Sequence, residues 1–322
     1  MVLSYMKKFS INLILPVFNE GKNINKFNSK LETELDRINN CNFKKIYIND
    51  GSSDNSKTKL FEVHKKSKHT TEIINFTKNF GHQNAIHAGL LKSDADFYII
   101  MDTDLQHDPS LLKNMINNIS DINIDIVQMK KNYGKYENLF KRILSSFFYS
   151  LFRNLTDIDL KKGSSDFYII TKRVRDQIIG SKFSNNFIRG FIHWSGYNKI
   201  YLEYLPNKRS HGKSSYNLIR QLELALTGLY YYTTKVYLFT FIIALLLFFL
   251  SLFYIIYIIY QYFIGNIIPG WSELAIFNLF FGSTIMLLNS IILFLITRIF
   301  TIISKKPDYI IDEIIIKNKD NE

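Results

Sequence analysis

Two aspartates, Asp102 and Asp104, stand two positions apart directly after the apolar run 97–101. Carboxylates with this spacing, where a buried strand reaches the surface, can bind one hard divalent cation together, and such a cation can hold a diphosphate. The alternative is an acidic turn that closes a strand and contacts only solvent. The pair therefore indicates a nucleotide-handling site, with the solvated turn as the competing interpretation.

Short β-rich apolar runs alternate with helical stretches along the amino-terminal part of the chain. The predicted strands are 11–17, 45–49, 71–75, 97–101 and 124–129, and the predicted helices are 24–38, 57–66, 84–91 and 111–116. Repeated βα units predict an α/β fold with a mostly parallel sheet that is covered by helices on both faces. Sheets of this kind bind ligands beyond the carboxyl ends of their strands.

Polar side chains follow the first four predicted strands at those carboxyl ends. Asn19 and Glu20 follow the first strand, residues 50–54 the second, 79–82 the third and 102–106 the fourth. Because the carboxyl ends of parallel strands meet at one edge of a sheet, we expect the four clusters to converge on one crevice. Their convergence favours a binding site over a solvated strand end.

Two long apolar stretches, 236–263 and 274–303, occupy the carboxyl-terminal part of the chain. Each is longer than the roughly 20 residues that a helix needs to cross a bilayer, so both are predicted transmembrane helices. Basic residues flank the outer ends of the pair: Lys235, Arg298, Lys305 and Lys306. The positive-inside rule then places both termini, the amino-terminal domain and the tail 304–322 in the cytoplasm, with the spans in the cytoplasmic membrane.

Two amphipathic stretches precede the first predicted span. Residues 137–155 repeat apolar side chains at three- and four-residue spacing, which is typical of a helix that packs on a core or lies on a bilayer surface. Residues 216–235 predict a second such helix next to the membrane. We therefore divide the chain into a domain 1–215 that includes the first helix, the juxtamembrane helix, the two spans and the tail.

Composition narrows the function classes. The 322 residues are 47% apolar, which excludes wholesale disorder, and the single cysteine, Cys41, excludes an internal disulfide and a thiolate zinc cluster. The formal net charge of +12 invites a nucleic-acid interpretation, but the chain carries no recognisable nucleic-acid-binding motif. Basic residues beside membrane spans more simply contact anionic lipid headgroups, so we expect a bilayer and no nucleic acid.

In order and spacing, residues 15–20, 49–54, 79–85 and 102–106 resemble the motifs of the family 2 GT-A glycosyltransferases. Within that family the chain is similar to the polyprenyl-phosphate sugar transferases, akin to dolichol-phosphate mannose synthase and bactoprenol glucosyltransferase. The two carboxyl-terminal apolar stretches match the bactoprenol-type branch. The resemblance implies a GT-A domain with a Rossmann-like sheet, followed by interfacial and transmembrane helices.

The resemblance also implies a donor site. Residues that would bind the nucleotide sugar are Pro16, Asn19, Glu20, Asp50, Asp102 and Thr103, and the ligands of Mg²⁺ or Mn²⁺ would be Asp102, Asp104 and Gln106. Asp50 would accept hydrogen bonds from the base, and Asp102 would hold the ribose side. Because the nucleoside diphosphate leaves with added negative charge, the cation on Asp104 would be catalytic.

Asp166 aligns with an aspartate that is usually proposed as the catalytic base of the family. A lipid monophosphate is already ionised at pH 7, so its oxygen needs positioning and charge neutralisation more than deprotonation. Asp166 would then orient the sugar or the acceptor; alternatively it caps the predicted helix region 173–179 or pairs with a nearby base. Relatives commonly have an arginine where this chain has Tyr168.

The phosphate of the acceptor would be bound by basic residues near the membrane: Lys131, Lys141, Arg142, Arg209 and Lys213. Arg209 lies in a segment that resembles a mobile loop, in which Ser215 stands where many relatives have a lysine. Trp194 and Tyr197 resemble aromatic residues that wall the sugar pocket, or they are core aromatics.

Two histidines, His82 and His87, are five positions apart, which does not fit a shared helical metal site, and we interpret them as local polar residues.

These features predict a membrane-anchored inverting glycosyltransferase that moves one sugar from a UDP- or GDP-sugar to undecaprenyl phosphate or a similar polyprenyl phosphate. One alternative keeps the fold and uses a growing glycan as acceptor, although the Gln-x-x-Arg-Trp motif of processive synthases is absent. Another is a non-catalytic membrane partner that binds nucleotide sugar or lipid. The sequence leaves the oligomeric state open, a homo-oligomer included.

Overall fold

The computed structural model describes residues 8–132, 163–180, 188–205 and 307–316, together with scattered positions between 249 and 299. The chain divides into two units: Met1–Tyr232 with Asp308–Glu322, here the larger unit, and Thr233–Pro307, the smaller unit. Several predicted features lie outside the described residues and stay predictions: helices 137–155 and 216–235, and Lys141, Arg142, Arg209 and Lys213.

Eight strands form one sheet in the described part of the larger unit. They are β1 (Phe9–Val17), β2 (Cys41–Asn49), β3 (Thr70–Phe76), β4 (Phe97–Ile100), β5 (Ile126–Lys131), β6 (Ser164–Thr171), β7 (Lys199–Tyr204) and β8 (Ile311–Ile316). Their order across the sheet is β7-β5-β6-β4-β1-β2-β3-β8. Strands β4, β1, β2 and β3 are parallel, whereas β6 and β8 run antiparallel to their neighbours. The predicted α/β fold is confirmed, with a mixed sheet around a parallel centre.

Helices cover both faces of this sheet. They are α1 (Ile24–Asp36), α2 (Ser56–Lys66), α3 (His82–Leu91), α4 (Leu112–Ile119), preceded by a 3-10 turn at Pro109–Leu111, α5 (Lys172–Gly180) and α6 (Ile188–Trp194). Side chains of a strand alternate between the two faces. Leu13 of β1 accordingly packs in the core that contains α1, α2 and α4, whereas Ile14 packs in the core that contains α3, α5 and α6.

Helix α3 approaches the sheet unusually closely at Gly89. A Cβ atom on Gly89 would lie 2.7 Å from Ile14 Cγ2 and 2.8 Å from Ile48 Cδ1. The absence of a side chain at this position therefore lets α3 lie against β1 and β2. Because the amino end of α3 carries His82, this close packing helps to fix where His82 stands above the sheet.

The five predicted strands and four predicted helices correspond to β1–β5 and α1–α4. Strands β6, β7 and β8 were not predicted. Strand β7 is only partly buried over most of its length, so its residues lack a strong apolar alternation. Strand β8 belongs to the segment 304–322 that was treated as a tail, and its recruitment depends on pairing with the distant β3.

The smaller unit is described only at scattered positions, which are helical apart from Gly270 and Pro307. Several large apolar side chains there are exposed, among them Phe253 at 72% and Phe263 at 81%. Within the described residues we find no helix with both the length and the apolar character that a membrane crossing requires. Most of the predicted spans 236–263 and 274–303 lies outside those residues.

Candidate functional site

The loops that follow β1 and β2 are tied together through Asn19. Its backbone N–H donates to Ser52 Oγ at 3.0 Å, and its Oδ1 accepts from the backbone N–H of Ser53 at 2.9 Å. Asn19 has φ of +56°, a left-handed conformation that asparagine adopts more readily than most residues. The first two polar clusters therefore lie in contact, as the strand order requires.

Asp50 joins the loop after β2 to the loop after β3. Its Oδ1 accepts from the Phe80 N–H at 2.7 Å, and its Oδ2 accepts from the Gly81 N–H at 3.0 Å and from Asn79 Nδ2 at 3.1 Å. Burial raises the pKa of Asp50, and the two backbone hydrogen bonds oppose that shift. Both carboxylate oxygens already have partners within the protein, so the proposed contact between Asp50 and a base stays a prediction.

Gly51 allows these two loops to approach. It has φ of +61°, and a Cβ atom built on it would lie only 2.1 Å from the backbone carbon of Lys78. Any larger residue at this position would be strained and would push the loops apart. The sequence thus places glycine where the backbone of one candidate loop crosses the other.

Other predicted nucleotide contacts also have partners within the protein. Thr103 is buried and donates to the carbonyl of Pro16 at 3.2 Å, which fastens the loop after β4 to β1. The Glu20 N–H donates to Ser56 Oγ at 2.9 Å, and Glu20 Oε2 accepts from Asn23 Nδ2 at 2.6 Å. The structure thus assigns these residues roles in loop positioning, and their contacts with a nucleotide stay predictions.

The acidic loop after β4 is a tight turn. Leu105 has φ of +66°, which is uncommon for a residue with a branched side chain, and the turn lets Asp104 Oδ1 accept from the Gln106 N–H at 3.0 Å. Among the described residues no group of three or more histidine, cysteine, aspartate or glutamate side chains could hold a metal ion. The carboxylates of Asp102 and Asp104 suit a cation that completes its shell with phosphate oxygens, as Mg²⁺ commonly does.

His82 links Asp102 to Asp166, and Arg189 completes the network from α6. His82 Nε2 lies 3.5 Å from Asp102 Oδ1 and 3.5 Å from Asp166 Oδ2. Arg189 binds Asp166 in a bidentate manner, with Nε to Oδ1 at 2.9 Å and an Nη atom to Oδ2 at 2.6 Å. The side chain of Asp166 is only 5% exposed, so this pair is largely shielded from water. Asp166 was expected to cap a helix or to pair with a basic side chain if it did not orient the substrate, and the structure shows a pair with Arg189.

Opposite charges stabilise each other in this network. Burial opposes ionisation of Asp166, but the charge of Arg189 and hydrogen bonds from His82 and Arg189 hold the pKa of Asp166 well below its usual range. Burial also opposes protonation of His82, yet the hydrogen bond to Asp166 and the charge of Asp102 raise the pKa of His82 to about 9. At neutral pH the site therefore pairs an imidazolium with carboxylates. A carboxylate with such a low pKa is a weak general base.

His107 forms a hydrogen bond with the backbone of Asp102. Its Nδ1 accepts from the Asp102 N–H at 3.0 Å, so a neutral ring carries its proton on Nε2, which lies 3.6 Å from Asp102 Oδ2. Burial and the positive charge of Lys131 lower the pKa of His107 to about 3, and its ring stacks on Phe167 at 4.8 Å. A neutral imidazole thus fixes the backbone of Asp102, with its second ring nitrogen near the carboxylate.

The remaining predicted residues fall into different environments. Burial raises the pKa of Asp102, and the positive charges of His82 and of Lys131, at the end of β5, oppose that rise. The same Lys131 charge adds to the effect of burial in lowering the pKa of His107. Trp194 is 55% exposed and is not a core residue, whereas Tyr197 packs against the core around α3, α5 and α6. Tyr168 is fully buried.

Three residues that surround Asp102 and Asp166 were not identified as site residues from the sequence. His82 was interpreted as a local polar residue, and neither His107 nor Arg189 was singled out. His82 and Arg189 contact carboxylates of other elements, and His107 bonds Asp102 within one irregular loop, so no helix or strand spacing predicts these contacts. The one available signal was that His82 and His107 lie within or directly beside the recognised motifs.

Comparisons with known proteins identify the family of this chain. Residues 12–180 match the model of glycosyl transferase family 2. The uncharacterized glycosyltransferase YkcC of Bacillus subtilis (strain 168) is 29% identical, over 94% of this chain and 93% of the relative. The prophage bactoprenol glucosyl transferase homolog of Escherichia coli (strain K12) is 27% identical, over 94% of this chain and 99% of the relative.

One similar solved structure is the mannosyltransferase PcManGT from Pyrobaculum calidifontis in complex with GDP-Man and Mn²⁺. It is 14% identical with a TM-score of 0.47, and the match covers 68% of this chain and 62% of that chain, which is less than two thirds of its length. The family model, by contrast, spans more than half of the present chain. This protein therefore belongs to glycosyl transferase family 2 and is a glycosyltransferase with an α/β fold.

Proposed function

We propose that this protein is a membrane-anchored, inverting glycosyltransferase that moves one sugar from a nucleotide-sugar donor to a polyprenyl phosphate. The main support for this proposal is how much of the chain matches relatives named bactoprenol glucosyl transferase. These relatives match 94% of this chain, a span that extends well beyond the family domain at 12–180. The shared region thus includes the apolar carboxyl-terminal part, which a soluble acceptor would not require.

The donor would bind at the carboxyl ends of β1, β2 and β4. Asn19 and Asp50 hold the loops that would border the nucleotide, and Asp102 and Asp104 offer carboxylates at the side where the diphosphate would lie. A bound Mg²⁺ or Mn²⁺, held by Asp102, Asp104 and Gln106, would supply positive charge to the departing diphosphate. The identity of the nucleotide, UDP or GDP, is left to experiment.

The acceptor would approach the charged network. A lipid phosphate is already an anion, so what it needs from the protein is orientation and reduced repulsion from the donor phosphates. Lys131 stands beside Asp102, and the imidazolium of His82 lies between two carboxylates. With its charge matched by Arg189, Asp166 would orient the sugar or the acceptor rather than remove a proton.

The membrane attachment rests on the apolar stretches 236–263 and 274–303. At described positions of the smaller unit, apolar side chains such as Phe249, Ile256 and Ile285 are exposed, as lipid-facing side chains would be. We propose that both stretches cross the cytoplasmic membrane and that the larger unit lies on the cytoplasmic side, where nucleotide sugars are available.

The test uses the full-length protein in detergent, with Mg²⁺ or Mn²⁺, radiolabelled UDP-glucose or GDP-mannose, and undecaprenyl phosphate. We expect label in a butanol-extractable, mild-acid-labile lipid whose anomeric configuration is opposite to that of the donor. Omission of undecaprenyl phosphate is the matched control. Label that appears only in polysaccharide would favour the growing-glycan alternative, and donor binding without turnover would favour a non-catalytic partner.

A further inference from the structure

The carboxyl-terminal segment of the chain is part of the sheet that carries the candidate site. Strand β8 pairs antiparallel with β3, and Glu313 stands directly opposite Asn75 in the register. The segment before β8 adds two further contacts. The Thr77 N–H donates to the carbonyl of Ile310 at 3.2 Å, and the ring of Tyr309 stacks on Phe76 at 5.1 Å.

A line of side-chain hydrogen bonds runs from Glu313 to the loop after β2. Asn75 Nδ2 donates to Glu313 Oε1 at 3.1 Å, and Asn49 Nδ2 donates to Asn75 Oδ1 at 2.9 Å. Asn49 Oδ1 in turn accepts from the backbone N–H of Ser52 at 3.1 Å. Both asparagines are buried, at 1% exposure for Asn75 and 3% for Asn49, so water cannot readily replace these partners.

Glu313 sets the direction of this line. An ionised carboxylate only accepts hydrogen bonds, so Asn75 must turn its NH₂ group toward Glu313 and its oxygen toward Asn49. Asn49 must then offer its NH₂ group to Asn75, which leaves its oxygen for the Ser52 N–H. Without the carboxylate, Asn75 can rotate its amide, and the acceptor for Ser52 is no longer fixed.

Ser52 is the point at which this line reaches the candidate donor site. Its hydroxyl accepts the N–H of Asn19, and it lies two residues after Asp50. Lys57 of α2 forms an ion pair with Glu313, with an Nζ–Oε1 distance of 2.7 Å. The side chain of Glu313 is 42% exposed and contacts no residue of the charged network in the described structure.

We propose that Glu313 is a positioning residue: from β8, through Asn75 and Asn49, it orders the loop 50–54 for nucleotide binding. The inference rests on the proposed function, which places the nucleotide at this loop. It assigns a role in donor binding to a segment that follows the second apolar stretch and lies far in sequence from every recognised motif.

The test compares the full-length wild type with Glu313→Ala. We expect the KM for the nucleotide sugar to rise roughly three- to tenfold, as the loss of one productive hydrogen-bond line implies, with kcat changed by less than about twofold. Amide hydrogen exchange of a peptide that contains Ser52 should become faster in the nucleotide-free variant. An unchanged KM together with unchanged exchange at this peptide would overturn the proposal.

Two variants separate the hydrogen-bond line from a general effect of β8. Glu313→Gln keeps an oxygen that accepts from Asn75, and Lys57→Met removes the ion pair but leaves the carboxylate, so both should retain KM within about twofold. If both match Glu313→Ala, the ion pair and not the hydrogen-bond line is responsible, and the proposal is wrong. Should Glu313→Ala not fold, Asn75→Ala breaks the same line from β3, and an unchanged donor KM there would overturn it.

Wild-type controls keep this inference separate from the proposed function. If the wild type binds UDP or GDP but forms no glycolipid, the proposed acceptor is wrong, and the dissociation constant of the nucleotide replaces KM in the comparison. A rise of that constant in Glu313→Ala alone still supports the positioning role. If the wild type binds neither UDP nor GDP, the donor site and this inference are both overturned.

Discussion

The two halves of the candidate site are held together by different chemistry. The nucleotide half, formed by the loops after β1, β2 and β3, is joined mainly by hydrogen bonds that involve backbone N–H groups, hydroxyls and amides, as at Asn19 and Ser52. The charged half, formed by the ends of β4 and β6 with α3 and α6, is joined by ionised groups, as in Asp166 and Arg189.

This difference suggests a division of labour. Hydrogen bonds to backbone N–H groups mainly fix the shape of a loop, whereas charges near the reacting atoms stabilise charge that develops during a reaction. We therefore expect substitutions in the nucleotide half to act mainly on the KM of the donor and those in the charged half to act mainly on kcat. The predictions that follow test this separation.

The largest effect is expected for Asp104→Ala. If Asp104 binds the cation as proposed, its loss would remove stabilisation of the departing diphosphate, so kcat should fall about a hundred- to a thousandfold. The assay is glycolipid formation over a range of Mg²⁺ and Mn²⁺ concentrations.

Asp108→Asn is the matched control for Asp104→Ala. Asp108 is a nearby aspartate whose Oδ1 caps the 3-10 turn by accepting from the Ser110 N–H at 3.0 Å. Turnover of this control should stay near that of the wild type. If Asp104→Ala retained near-normal turnover with added cation, the metal assignment would be wrong.

The next effect is expected for Arg189→Met, which leaves the buried carboxylate of Asp166 without its guanidinium. Removing one partner of a buried ion pair leaves the other charge without compensation and lowers the unfolding free energy. Because Arg189 is 26% exposed and water partly screens the pair, we expect a loss of only about 2 to 3 kcal/mol. In addition, kcat should fall more than tenfold. Denaturant unfolding and steady-state kinetics measure the two effects.

Arg173→Met tests whether a broken arginine–aspartate pair alone explains the loss of turnover. Arg173 binds both oxygens of Asp125 at 2.8 and 2.7 Å, away from the charged network. It is 68% exposed, so a loss of only about 1 kcal/mol is expected, with turnover unchanged. Equal losses of kcat in the two variants would argue against a role for Arg189 in the reaction.

A smaller effect is expected for Asp50→Asn in the nucleotide half. The amide keeps one oxygen acceptor but places an NH₂ group against one of the donors from Asn79, Phe80 and Gly81. The unfolding free energy should fall by about 1 to 2 kcal/mol and the donor KM should rise, with kcat nearly unchanged. If kcat fell and KM did not change, the division between the halves would not hold.

Sequence patterns could predict those features that depend on residues close together in the chain, and not the contacts between distant residues. Local periodicity predicted β1–β5 and α1–α4, and the parallel order brought Asn19, Asp50 and Asp102 to one edge. The partners that complete the site come from distant parts of the chain. Arg189 reaches Asp166 from α6, and Glu313 reaches Asn75 from β8. Neither contact leaves a periodic pattern, because each depends on tertiary packing.

Histidines show the same limit at the level of single residues. Spacing argued against a shared metal site for His82 and His87, but it could not tell their environments apart. His82 faces two carboxylates, whereas His87 is 5% exposed and has no hydrogen-bond partner for either ring nitrogen among the described residues. Their difference comes from burial and neighbouring charge, which only the fold supplies.

These two histidines of α3 should therefore titrate in opposite directions from the ordinary value of 6.5. Carboxylates raise the pKa of His82 to about 9, so its stabilisation is full below pH 6.5 and is lost as the pH rises through 9. Burial lowers the pKa of His87, partly opposed by Asp308, so stability should fall as the pH drops below 6.5.

Histidine NMR of cation-free protein, assigned with His82→Gln and His87→Gln, measures both pKa values. Unfolding experiments across the same pH range should show the alkaline loss vanish only in His82→Gln and the acid loss shrink only in His87→Gln. Two histidines with the same ordinary pKa would show that the charged half does not hold an imidazolium at neutral pH.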